Sequence, residues 1–294
     1  MAQAHQRDLH QLSTAIQAVQ RALFSLNNSA SKVQLPDIAS KVEEFREAFS
    51  NLSWVARDIA GDIRTAAVDF RHVIMGTLQD TQTKNGAKVE MLDSWCKSIE
   101  TRKRGAQELP QQFERFSMGL ADLLRDVRML QGSDNIAHSN DSKPSSSAQI
   151  PRQPIWKRLL SALFGKKPTE TRQQAQAPTA SGAVIRPSAK TSLVLSNPRK
   201  DLSQQSRDLH AGRKLLENEI ETTRKKMTNI VTKAHTFGKI YNEVDQHIQT
   251  LKKLLSAKTY NAKKESEYNT ALASFRPKLE QYAKILEEYQ KTVP

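Results

Sequence analysis

Apolar residues recur along this chain in alternating steps of three and four. Between 9 and 26 they are Leu9, Leu12, Ile16, Val19, Leu23 and Leu26. From 35 to 77 they are Leu35, Ile38, Val42, Phe45, Phe49, Leu52, Ala56, Ile59, Ile63, Ala66, Phe70 and Val73, ending at Thr77. The second series predicts six heptads without a slip. Such spacing lays one apolar stripe along a helix and seats it against a neighbour. The pattern predicts a helix over 3–28 and another from 36. Pro36 suits its first turn, where a missing N–H costs nothing.

Asn85-Gly86 reads as a turn. Beyond it come Val89, Leu92, Cys96 and Ile99, then Leu109, Phe113, Phe116, Leu120, Leu123, Val127 and Leu130. Gly105 and Pro110 interrupt this series, so 87–131 is either two helices or one with a kink. Its reach matches that of 36–84, which predicts an antiparallel hairpin with 3–28 packed alongside.

The tail repeats the theme. Leu216, Ile220, Thr223, Met227, Ile230, Ala234, Phe237, Tyr241, Val244, Ile248, Leu251 and Leu255 keep the spacing, with Thr223 alone out of character. A helix from near 200 to 256 would be on the order of 80 Å long. After a polar turn near 257–262, Tyr268, Leu272, Phe275, Leu279, Tyr282, Leu286, Tyr289 and Val293 continue through Pro277, where a kink rather than a stop is expected. This last helix is too short to cover its predecessor, so the N-terminal part or a second chain must cover the rest. The short turns favour an intramolecular bundle over an intermolecular coiled coil.

Between these parts the composition changes. Residues 132–198 are rich in Ser, Pro and Gln and read as a disordered insert. Within it stands the stretch IPRQPIWKRLLSALFGKKP at 150–168. On a helix over 155–164, Ile155, Trp156, Leu159, Leu160, Leu163 and Phe164 share one face, while Lys157, Arg158 and Ser161 lie on the other. Pro154 suits its start, and Gly165 with Pro168 its end. Arg152, Lys166 and Lys167 flank it, and no acid occurs between Asp141 and Glu170. The chain divides accordingly into a helical segment at 1–131, the insert at 132–198 and a long helical hairpin at 199–294.

Charge sharpens that division. The formal net charge is +14 and the pI about 9.8. Residues 1–131 carry 17 Lys/Arg against 16 Asp/Glu, 132–198 carry 9 against 3, and 199–294 carry 19 against 12. A basic surface therefore belongs to the insert and the C-terminal part, and it attracts anions of any kind. A helix of ten residues, ~15 Å, cannot cross a bilayer but can lie in its interface. Three partners fit the island: an anionic membrane surface, a groove on a protein partner, or the bundle itself. Arg158-Leu159-Leu160-Ser161 also has the Arg-x-x-Ser spacing of basophilic kinase sites, which makes Ser161 a possible phosphosite.

Candidate chemistry is sparse. The phosphate-binding and dinucleotide-binding glycine motifs and the nucleophile elbow are absent. One cysteine, Cys96, excludes a cysteine-rich zinc site and reads as a small buried hydrophobe. Asp69-x-x-His72 and Glu243-x-x-x-His247 have ligand-like spacings but do not repeat, and both read as solvated surface. Asp58 and Asp62 share a face near Arg57 and Arg64, which reads as surface electrostatics. Trp54 lies opposite the Leu52/Ala56 seam, so a further helix is expected to cover it unless it is an exposed contact residue. Arg102-Lys103-Arg104, Arg224-Lys225-Lys226, Lys252-Lys253 and Lys263-Lys264 can meet phosphates, but they have no nucleic-acid-binding motif around them. No catalytic residue, cofactor or metal site is expected.

The N-terminus lacks a secretory layout, and no run approaches the ~20 apolar residues of a spanning helix. With a single cysteine, this makes a cytoplasmic, peripheral membrane location the expectation. The sequence thus predicts an all-α, elongated antiparallel bundle or coiled coil with a disordered basic insert. The expected role is a non-enzymatic scaffold bound peripherally to anionic membrane. Alternatives are a coiled-coil partner, a nucleic-acid-binding protein and a homo-oligomer. A further one is a membrane-attacking bundle, since long helices separated by an insert with apolar spots are loosely similar in layout to the long-helix α-pore-forming toxins.

Overall fold

The computed structural model describes residues 2–33, 35–136, 198–257 and 261–293. Among the described residues every element is helical. α1 spans Ala2–Lys32 and α2 Pro36–Asp69. α2 runs on through a π-helical turn at Phe70–Ile74 into α3, Met75–Gln79. α4 is a single helix over Asn85–Ile136 that carries Pro110 inside it. α5 spans Pro198–Leu255, and α6 spans Ala262–Thr292 with Pro277 inside it. The turn predicted at Asn85-Gly86 lies one step earlier. Asp80 closes it, accepting from the Gln82 N–H at 2.9 Å and the Thr83 hydroxyl at 2.6 Å.

Four helix positions run antiparallel. α2 lies against α4 through Phe45–Phe116 and Phe49–Phe113 near one end and Phe70–Trp95 near the other. α4 lies against α5 from the Arg128–Glu217 pair to the Lys103–Asp245 pair. The fourth position is shared. α6 covers one half of α5, with Phe237 against Tyr289 and His247 against Phe275. α1 covers the other half, pairing Asp8 with Lys233 and Ser25 with Glu219. α2 is shared in the same way, touching α1 through Asn27–Glu43 and α6 through Arg57–Gln290. α1 and α6 therefore point the same way and overlap at their ends, where the His5 ring faces Tyr282, Gln6 meets Glu288 and Gln17 meets the Thr292 carbonyl. This arrangement covers the long α5 stripe without a second chain.

The stripes form one core. Leu12, Ile16, Phe49, Phe113, Phe237, Ile248 and Phe275 are among its fully enclosed side chains. Close helix contact needs small residues at two points. A Cβ on Gly119 would sit 2.8 Å from the Phe45 ring, and one on Gly212 would sit 2.6 Å from Val33. Thr223, the polar residue on the α5 stripe, is buried without penalty because its hydroxyl donates to the Glu219 carbonyl at 2.7 Å.

Three expectations need correction. The series of six heptads does slip. At the π turn the Met75 N–H bonds to the Phe70 carbonyl, five residues back, which adds a residue to the turn. Val73 is thereby rotated outward to 64% exposure, and Ile74 and Leu78 take its place in the core. Trp54 is 49% exposed, with no helix over it among the described residues, and the Arg57 guanidinium stacks 4.9 Å from its ring centre. Leu130 also turns outward at the end of its series. Of the insert predicted at 132–198, residues 132–136 continue α4 and 198 opens α5, while 137–197 lie outside the described residues. So do the residues predicted for contact, Ile155, Trp156, Lys157, Arg158, Leu159, Leu160, Leu163, Phe164, Lys166 and Lys167, and the possible phosphosite Ser161.

Candidate functional site

The end of the bundle from which the insert leaves is built by α4 and α5. The Leu130 carbonyl accepts from Arg213 Nη1 at 3.1 Å, and Arg128 pairs with Glu217 at 3.6 Å. Val33, in the α1–α2 turn, rests on Gly212. α5 begins fourteen residues earlier, so it runs about 20 Å past that turn. α4 continues beyond Leu130 on the same side. Both ends of the 137–197 connection therefore belong to one pole.

Just below this pole, α1 and α5 leave a groove of about 560 Å³ between them. Ala18 and Ala22 of α1 line one side, and Leu215 and Thr222 of α5 the other. Leu215 is 53% exposed. Arg21, Glu219 and Lys226 border the groove. Glu219 uses Oε1 to accept from the Ser25 hydroxyl at 3.3 Å. Its Oε2 is enclosed and has no hydrogen-bond donor among the described residues.

Each of the four basic clusters has at least one member paired with a carboxylate. Arg102 pairs with Asp62 at 3.7 Å and Lys103 with Asp245 at 2.9 Å. Arg224 pairs with Glu221, Lys252 with Asp93 and Lys264 with Glu267. The partner carboxylate raises the pKa of Lys103 and of Lys252, which fixes their charge on the bundle rather than freeing it for an external anion. Arg64 likewise meets Glu287 at 3.6 Å.

Where α1 gives way to α6, a polar cluster lies between helices. His5 of α1 meets Glu243 of α5 at 2.8 Å, and the Tyr282 hydroxyl of α6 donates to the other Glu243 oxygen. His5 is buried. Burial pushes the Glu243 carboxyl upward, but the bonds from Tyr282 and His5 outweigh it and hold the group below its ordinary range. The Tyr282 hydroxyl is pushed up by burial and by the carboxylate it faces. His247 stacks on Phe275 at 4.8 Å with Lys278 Nζ at 2.9 Å, and burial, then Lys278, lowers its pKa. The sequence reading of Glu243 and His247 as solvated surface is thus wrong: both face α6. The cause is that α5 has neighbours on more than one side, so positions off the main stripe are also covered. Asp69 and His72 do lie toward solvent. Cys96 is half-buried against the core, and burial raises its thiol pKa. Among the described residues no three His, Cys, Asp or Glu side chains are grouped to hold a metal, and no helix is long and apolar enough to cross a membrane.

Comparison with protein-family models, with curated proteins and with solved structures found no match.

Proposed function

We propose that this protein is a non-enzymatic helical scaffold that binds anionic membrane peripherally through the basic amphipathic segment 155–164. The observation that carries the reading is the island itself, six large apolar residues on one helical face with five Lys and Arg in and around it and no acid from 142 to 169. Charge distribution supports it. Each basic cluster of the bundle has at least one member paired with a carboxylate, whereas 142–169 holds six Lys and Arg and no acid. The bundle forms a rod, and the insert is tethered at one pole, so the segment can reach a surface without the rod lying on it. Trp156 and Phe164 sit at headgroup depth, and each basic residue contributes on the order of 1 kcal/mol near an anionic leaflet.

Co-sedimentation with vesicles of phosphatidylcholine, with and without phosphatidylserine, tests this. Trp156→Glu is expected to abolish binding to the anionic vesicles. Lys157→Glu with Arg158→Glu weakens it and removes most of its salt dependence, and Ser161→Asp acts in the same direction to a lesser degree. Equal sedimentation of wild type and Trp156→Glu rejects the reading. Release of a trapped dye would shift it toward a membrane-attacking bundle.

A further inference from the structure

We propose that copies of this chain associate side by side, the outward face of α2 on one docking against the outward face of α5 on the next. α2 and α5 occupy diagonal positions of the bundle, so these faces lie on opposite sides of the rod. They carry opposite charge. On α2 the exposed Asp37, Glu47, Asp58 and Asp69 have no Lys or Arg within ion-pair distance among the described residues. The bases of α2 are engaged: Lys41 with Asp126, Arg46 with Glu43, Arg64 with Glu287, and Arg57 over the Trp54 ring. On α5 the exposed Lys214, Lys225, Lys239 and Lys253 have no carboxylate within ion-pair distance among the described residues. Between 222 and 256 the only acids are Glu243 and Asp245. Both are held by neighbouring helices, Glu243 by His5 and Tyr282 and Asp245 by Lys103.

The two faces also match in register, because α2 and α5 run parallel. Asn27 of α1 meets Glu43, and Ser25 of α1 meets Glu219. Gln290 of α6 meets Arg57, and Tyr289 packs on Phe237. Phe275 touches both Phe70 and His247. These levels place Asp37, Glu47 and Asp58 each within about a turn of the height of Lys214, Lys225 and Lys239. A sideways shift of one rod, with no slide along its axis, therefore sets each acid opposite a lysine.

Trp54 supplies the apolar centre. It is 49% exposed and lies between Glu47 and Asp58. Its level on α5 is that of Thr232, whose hydroxyl already donates to the Thr228 carbonyl at 2.9 Å, so an indole laid there strands no polar group. A central aromatic anchor within a polar rim concentrates binding energy. The face is about 50 Å long and one helix wide, about 500 Å² on each copy, the scale of a weak, reversible contact. The net positive charge of the chain opposes association. At ~0.15 M ionic strength that repulsion is screened beyond about 8 Å, while charges in contact are screened less. Because the two faces differ, the contact is heterologous and does not close, so it builds rows. Every insert then leaves from the same edge of the row. The proposal does not rest on the membrane reading.

Sedimentation of the full chain, without lipid, tests the contact. In ~50 mM salt the weight-average mass is expected to rise at least about 1.5-fold between ~10 and ~300 µM, and to fall to that of one chain in ~1 M salt. Glu47→Lys with Asp58→Lys reverses one face, and Lys225→Glu with Lys239→Glu reverses the other, all at exposed positions. Either double variant alone should remain a single chain, since like charges then meet. Their equimolar mixture should regain the association of the wild type, because each reversed face finds its complement on the other variant. Trp54→Ala should weaken association about tenfold. A wild type that stays a single chain throughout overturns the proposal. So does association that survives either face reversal or Trp54→Ala, or that the mixture fails to restore.

Discussion

Lys88, near the start of α4, places its ammonium nitrogen 2.9 Å from the main-chain carbonyl of Leu78, at the end of α3. The Tyr268 hydroxyl of α6 donates to the same oxygen at 3.0 Å. A helix C-terminus leaves carbonyls without partners and carries partial negative charge, and a cation there answers both needs. The two donors also tie three helices together at the pole opposite the insert. Burial lowers the Lys88 pKa, opposed by Asp80 and Glu265.

Lys88→Met should therefore cost about 1.5–3 kcal/mol and Tyr268→Phe about 0.5–1.5 kcal/mol. Either single change leaves the carbonyl one donor. The double variant leaves it none, so its loss should exceed the sum of the two, read by urea denaturation as a double-mutant cycle. Strict additivity would show that the two donors do not act on one acceptor.

The π turn makes a prediction opposite to the heptad pattern. By the pattern Val73 is a core residue, whereas in the structure it is exposed and Leu78 is enclosed. Val73→Asp should change stability by less than about 0.5 kcal/mol, and Leu78→Asp should cost several. Thermal melts of the two variants decide it, and a severe loss from Val73→Asp would mean that the helix is regular through 70–74.

The same contrast shows what a linear pattern can carry. Steps of three and four are a local property, so α1, α2, α4, α5 and α6 were legible from Leu12, Phe49, Phe113, Phe237 and Phe275. The covering of α5 from two ends of the chain was only half legible. Its length showed that α6 was too short, but nothing local distinguishes α1 from a second chain as the complement. Trp95 was missed because it sits beside the stripe, yet it is buried, with Phe70 packed edge-on 4.9 Å away. The π turn has no signal in the spacing, since Val73 and Ile74 are equally apolar. For the candidate site, the island was read from composition alone. The groove could not be, since Ala18, Ala22 and Leu215 come from helices 190 residues apart in sequence.

The α5 register can be checked at its cleanest stretch. Phe237 and Val244 are buried, and Lys239 between them faces solvent. Phe237→Asp and Val244→Asp should each cost several kcal/mol, while Lys239→Asp should be nearly neutral. Equal melting temperatures for all three would displace the stripe.

The seam where α1 meets α6 should be pH-sensitive through Glu243. Its carboxylate holds His5 from α1 and Tyr282 from α6, so one side chain fastens both halves of the fourth position to α5. The Asp8–Lys233 pair at 2.7 Å, Lys278 beside His247, and Arg7 and Glu288 are further charged groups along this seam. The folded-state pKa of Glu243 is below its ordinary 4.5. A carboxyl whose pKa is depressed on folding stabilises the fold above the unfolded value, and that contribution is lost as pH falls through the folded one. Glu243→Gln removes the charge and weakens both bonds, so at pH 7 it should lower stability by about 1–3 kcal/mol. As pH falls through that lowered value the wild-type group takes up a proton and loses the same advantage. The gap in melting temperature between wild type and variant should therefore narrow as pH falls below about 4.5. Because every other carboxylate titrates in both proteins, the difference between them isolates this one. A gap that stays constant from pH 7 to pH 3 would mean that Glu243 acts through packing alone and that its charge does not hold the seam.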